Sequence, residues 1–123
     1  MNKQKLLLDS FKSELGDSLL FSEVWNSQSK EDLAHLNSNS QYVNIVNSYI
    51  TNLEKNLDTL GFPSFECYQI TSLNMNSLHL LIKLDSEHFL GCLLDKSSLD
   101  IAELINNSIP KIIEAYKILR EDN

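Results

Sequence analysis

Residues 78–96, LHLLIKLDSEHFLGCLLDK, hold two apolar runs, Leu78 to Asp85 and His88 to Lys96, with only Ser86 and Glu87 between them. Read by period, they predict a tight hairpin of two buried strands. The amphipathic segment SLDIAELINNSIPKIIEAYKILRE follows at once and predicts a terminal helix starting after Ser97 or Ser98. Serine oxygens can cap free amides there, with Asp100 and Glu103 against the positive end of the helix dipole and Lys117 and Arg120 near the other. Pro110 removes the hydrogen bond to Asn106 and crowds that turn, so a kink or a restarted helix is expected.

Upstream, Ser64 to Ser72 predicts a strand rich in aromatic and β-branched residues, turned back by Leu73-Asn74-Met75-Asn76. Before it, QYVNIVNSYITNLEKNLDTL sets Tyr42, Val46, Tyr49, Leu53, Leu57 and Leu60 on one helical stripe, with N-cap candidates in Ser38-Asn39-Ser40 and a stop at Gly61 and Pro63. At the start of the chain, Leu6, Leu7, Phe11 and Leu15 recur at helical spacing before Gly16, which predicts a helix over residues 3–15. Leu19 to Trp25 and Lys30 to Leu36 are strand candidates around the turn Asn26-Ser27-Gln28-Ser29.

If Ser72 opposes Ser77 and Asp85 opposes His88, pleat alternation places Phe65, Cys67, Leu78, Leu80, Ile82, Leu84, Phe89 and Leu93 on one face of the sheet. Tyr68, Ile70, His79, Leu81, Leu90, Cys92 and Leu94 then lie on the other. Both faces are largely apolar, so helices are expected on both.

A chain of 123 residues with 42% hydrophobic content suits one domain with a real core. The net charge of −7 and pI near 4.8 argue against nucleic acid or an anionic membrane as partner, because no basic run offers counterion release. No apolar run is long enough for membrane insertion or a signal peptide, so a cytoplasmic, reduced protein is expected.

Chemistry is sparse. Cys67 and Cys92 read as buried structural thiols on opposite sides of the sheet, which disfavours a disulfide or a shared metal. His35, His79 and His88 have no partners at ligand spacing. Cys92 and His79 share a face in the expected register and could be read as a nucleophile and its base, but a packed thiol beside a packed imidazole is the ordinary content of a strand interior. Carboxylate pairs such as Glu31-Asp32 and Glu121-Asp122 sit in polar surroundings, and no glycine-rich phosphate loop is present. The expectation is a protein without cofactor, metal or enzymatic activity, which works by binding.

Three segments, LGFPSFECYQI, LHLLIKLDSEHFLGCLLDK and DIAELINNSIPKIIEAY, in the order helix, strand pair, helix, three strands, helix, resemble the roadblock/LC7 family over roughly residues 40–120. One departure is the first turn, where family members often carry a glycine and this chain has Asn26-Ser27-Gln28-Ser29. The resemblance implies an α/β (α+β) class and a single three-layer domain over residues 1–123, roadblock/profilin-like. In it a five-stranded antiparallel sheet of order 2-1-5-4-3 has the middle helix on one face and the two terminal helices on the other. It also implies a homodimer or heterodimer joined through the middle helix and the third strand, here Val43, Ile45, Val46, Tyr49, Ile50, Phe65, Tyr68 and Ile70. The resemblance further implies a protein that is not an enzyme in its own right, and that binds a small Ras-like GTPase as regulator or scaffold or serves as an adaptor in motor and signalling complexes.

Independently of the family, the apolar arc of the middle helix runs from Ile45 and Tyr49 to Val43 and Ile50, wider than docking on one sheet requires. A helix sunk deeper between sheet and loop would account for the arc equally well. Two other classes fit the composition. A type III secretion-type chaperone for an effector is also small, acidic and dimeric, but it places three strands before its middle helix. An acidic immunity or inhibitor protein that masks a basic enzyme is permitted by charge alone.

Overall fold

The computed structural model describes residues 2–37 and 39–121. Lys3–Leu15 form α1, capped by the Asn2 side chain on the Lys5 amide at 3.0 Å and ended at Gly16, whose φ is 61°. The hairpin strands β1, Leu19–Asn26, and β2, Asp32–Leu36, follow. Next come α2, Tyr42–Leu60, and the strands β3, Tyr68–Ser72, β4, Ser77–Lys83, and β5, His88–Asp95. A last helical stretch contains α3, Ile101–Glu103, a π-helical turn over Leu104–Ser108, and α4, Ile109–Glu121.

All strand pairs are antiparallel and their order is β2-β1-β5-β4-β3, as expected. On one face, Leu7, Leu8 and Phe11 of α1 and Ile109, Ile112 and Tyr116 of α4 close over Leu80, Ile82, Leu90 and Cys92. On the other, Val43 and Ile50 of α2 pack against Trp25, Leu81 and Phe89. The three layers thus hold two cores, separated by the sheet.

The first turn forms without glycine. The Asn26 side chain accepts from the amides of Gln28 and Ser29, and Lys30 takes the left-handed position at φ 63°. At the end of the chain, the Asp100 side chain caps the helix by accepting from the Glu103 amide at 3.1 Å, and Lys96–Ser98 make only a single 3₁₀ turn. The helix therefore starts a little later than the serines suggest. Pro110 is absorbed without a break: the π turn widens the helix just before it, so that Ile109 bonds back to the Leu104 carbonyl.

Two expected registers are each displaced by one residue. Ser72 pairs with Leu78 instead of Ser77, and Ile82 with Leu90, which sets Leu84 opposite His88. The cause is the same in both turns. Asn74 accepts from the amides of Asn76 and Ser77, and Asp85 from those of Glu87 and His88, at 2.8 Å in every case; each side chain folds its turn back and adds a residue to the loop. Relative to β4, both β3 and β5 consequently present the opposite faces to those expected. Phe89 and Phe65 lie on the α2 side, while Ile70, Leu90, Cys92 and Leu94 lie on the α1/α4 side with Leu80. His79 contacts Tyr42 under α2, so it and Cys92 are on opposite faces and cannot form a nucleophile and base.

Two further expectations are corrected. Only Tyr68–Ser72 of the expected Ser64–Ser72 strand pairs, because Phe65 turns in to stack on Phe89 at 6.2 Å and Lys83 Nζ holds its carbonyl at 3.0 Å. Cys67 is exposed, whereas Cys92 is buried; both thiols are free.

Candidate interaction site

The seat of α2 is set by two polar anchors. Trp25 Nε1 donates to Asn47 Oδ1 at 3.1 Å, and Asn47 Nδ2 donates to the Ser27 carbonyl at 2.8 Å, which ties the helix to the β1–β2 hairpin. At its N-terminal end the Tyr42 ring lies against Phe21 and Trp25, with centroids 4.6 and 5.6 Å away. Its hydroxyl makes a 2.6 Å hydrogen bond with His79 Nε2. Gly91 makes this possible: a β-carbon there would stand 1.8 Å from the Tyr42 oxygen. Burial raises the Tyr42 pKa and lowers that of His79, so both groups are neutral in this pair.

Beside this pair, α2 and the turn after β3 enclose a largely apolar cleft of about 390 Å³, lined by Tyr42, Ile45, Val46, Tyr49, Thr71, Leu73 and His79. Tyr49 donates to Gln69 Oε1 across it at 3.0 Å. Ile45 is 63% exposed and Tyr49 47%, which is unusual for large apolar side chains on one helix flank.

The eight residues expected at an interface divide three ways. Val43 and Ile50 are buried under α2, and Val46 and Phe65 are half-buried against the same cluster. Ile45 and Tyr49 form the exposed rim. Tyr68 and Ile70 belong to the other face of β3, where Ile70 packs on the α1/α4 core. The side chains that β3 and its turn do contribute beside α2 are Gln69, Thr71 and Leu73. Sequence reasoning missed these, and the signal was available in Asn74, whose turn chemistry fixes the register.

Among the described residues, no three His, Cys, Asp or Glu side chains converge as a metal-binding group. No described helix is long and apolar enough to cross a membrane.

No family model matches the chain, and no curated protein matches its sequence. Solved structures do. Over 98% of this chain and 89% of the other, it superposes on MglB of Myxococcus xanthus with a TM-score of 0.81 at 10% identity. The chain has the roadblock/LC7 fold. The gliding protein MglB of Thermus thermophilus matches with a TM-score of 0.75 at 12% identity, over 98% of this chain and 90% of that one. A roadblock/LC7 domain from Streptomyces avermitilis matches with a TM-score of 0.68 at 8% identity, over 95% and 97%. At such identities the likeness is one of architecture, and the side chains of the α2 flank are this chain's own.

Proposed function

We propose that this protein is a non-enzymatic regulator or scaffold of a small Ras-like GTPase and acts as a dimer assembled through α2 and the β3 edge. The observation that carries the reading is the α2 flank, where Ile45 and Tyr49 stand exposed beside an apolar cleft on a roadblock scaffold. Apolar surface concentrated on one helix flank and continuous with a sheet edge suits association with a similar surface. Two strands precede α2 and three follow it, whereas the chaperone arrangement places three before the middle helix. The acidic charge is neutral on the matter, since a GTPase surface and a basic toxin both tolerate it.

A regulator must bind one nucleotide state of its partner better than the other, because equal affinity for both cannot move the switch equilibrium. The test is calorimetry against candidate Ras-like GTPases loaded with GDP or a GTP analogue, alongside light scattering of the protein alone. A dimer that binds the two forms unequally is the expected result. Equal affinities would leave only a passive scaffold, and a wild-type monomer at tens of micromolar would remove the dimer.

A further inference from the structure

Glu23 lies in the middle of β1 with 2% of its surface exposed. The registers set it between His35 of β2 and Gly91 of β5. It shares the α2 side of β1 with Phe21 and Trp25, whose rings flank Tyr42. Its Oε1 is buried without a hydrogen-bond partner. A bare buried oxygen is tolerable on a neutral carboxyl and costly on a carboxylate, which loses its hydration and gains nothing in exchange.

The surrounding groups do little to offset that cost. From β2 come His35 and Asp32, which are bonded to each other at 2.8 Å, so the imidazole is already engaged by a carboxylate. From α2 comes Tyr42, whose hydroxyl is engaged with His79 of β4. From β5 comes Gly91, with no side chain to offer. Burial first, and the nearby Asp32 second, push the Glu23 carboxyl up to about 7, with His35 acting in the opposite sense.

We propose that Glu23 is a proton-controlled latch for the N-terminal turn of α2: its neutral form lets Tyr42 seat over Gly91, and its ionised form draws water under the helix and loosens that seat. Tyr42 is both the first residue of α2 and a wall of the cleft, so the loosening is delivered where the exposed flank begins. The sign is fixed by the environment. A carboxyl raised above its unfolded value of 4.5 loses stabilisation progressively as pH climbs through its folded value, and the loss levels off above it. His79 works the other way, because burial lowers its pKa and acidification is what charges it. The seat is therefore weakened from two directions, by Glu23 as pH rises toward about 7 and by His79 as pH falls. The latch stands on the fold alone and holds whether or not a GTPase is the partner.

The test uses the full chain, from about pH 5.5 to 8.5, with carboxyl-detected NMR of Glu23 and amide exchange of residues 42–46 corrected for intrinsic rates. In wild type the Glu23 carboxyl should titrate near 7, and protection of those amides should fall by about tenfold or more between about pH 5.5 and 7 and level off above that. In E23Q, which keeps the shape and cannot ionise, protection should not fall over that interval. A Glu23 carboxyl titrating near 4.5, an unchanging wild-type protection, or the same fall in E23Q would each overturn the proposal. If E23Q does not fold, the two wild-type measurements decide alone.

Discussion

Replacing Gly91 by alanine should dislodge Tyr42, and the size of the effect can be worked out from the contacts around it. The added β-carbon would stand 1.8 Å from the phenolic oxygen and 2.8 Å from the ring carbon that bears it, in a central strand that cannot retreat between its neighbours. The tyrosine must therefore swing out. It forfeits the hydrogen bond to His79, about 1 kcal/mol net, and the ring contacts with Phe21 and Trp25, roughly 0.5–1.5 kcal/mol each. Alanine returns about 0.5–1 kcal/mol, because glycine in a strand interior has more backbone entropy to lose. The expected net destabilisation is about 2 kcal/mol. A double-mutant cycle in urea isolates the cause: in a Tyr42→Ala background the β-carbon has room, and Gly91→Ala should be neutral or slightly stabilising. The two substitutions should thus couple by ~2–3 kcal/mol. Gly91→Ala as stable as wild type, or coupling below about 0.5 kcal/mol, would refute the packing argument.

Three other substitutions and one labelling experiment follow from the same structure. Tyr49→Glu sets a charge on the exposed flank of α2 and should leave a folded species of half the mass by light scattering, with helical circular dichroism unchanged. Ile50→Glu, one residue on but only 4% exposed, should unfold the chain in the same assay, since that carboxylate would face Trp25 and Phe89. Asp85→Asn tests the clasp between the β4–β5 turn and α4. Burial would raise the Asp85 pKa, but the Tyr116 hydroxyl at 2.6 Å, the Glu87 amide and His88 pull it down to about 2. Its stabilisation should be present above the ordinary 3.8 and lost as pH falls toward 2, a difference of about 2 kcal/mol at most, visible as a shallower acid limb of Tm against pH in the variant. Finally, native-state alkylation should modify the exposed Cys67 readily and spare Cys92, whose thiol pKa burial raises, until the protein is unfolded.

Much of the architecture was legible because it follows from local rules. Apolar spacing and Gly16 bound α1 at Lys3–Leu15, as expected from residues 3–15, and Gly61 in the left-handed conformation ends α2. The sheet order came from family resemblance, since no periodicity states which strands are neighbours. What escaped was register. Asn74 and Asp85 act through side-chain bonds to amides two and three residues on, a one-residue effect that a pattern of apolar runs does not contain. The two slips have unequal consequences. Both β3 and β5 invert relative to β4, so their relation to each other survives, while every inference that linked one of them to β4, such as His79 with Cys92, reverses.

The middle helix shows why the candidate site was half visible. At 100° per residue the apolar stripe Tyr42, Val46, Tyr49, Leu53, Leu57 and Leu60 points about 90° away from the line Val43, Asn47, Ile50 and Glu54. That second line is the one facing the sheet: Asn47 is bonded to Trp25 and Ser27, and Glu54 lies 3.7 Å from Lys83. A helix that only docked on the sheet would have its apolar side aligned with its buried side. Here a satisfied polar residue occupies the centre of the buried side, and the excess apolar surface is carried round to the flank beside Gln69, Thr71 and Leu73. The direction of the hydrophobic stripe is then the resultant of two surfaces, one met by the sheet and one left exposed beside the cleft.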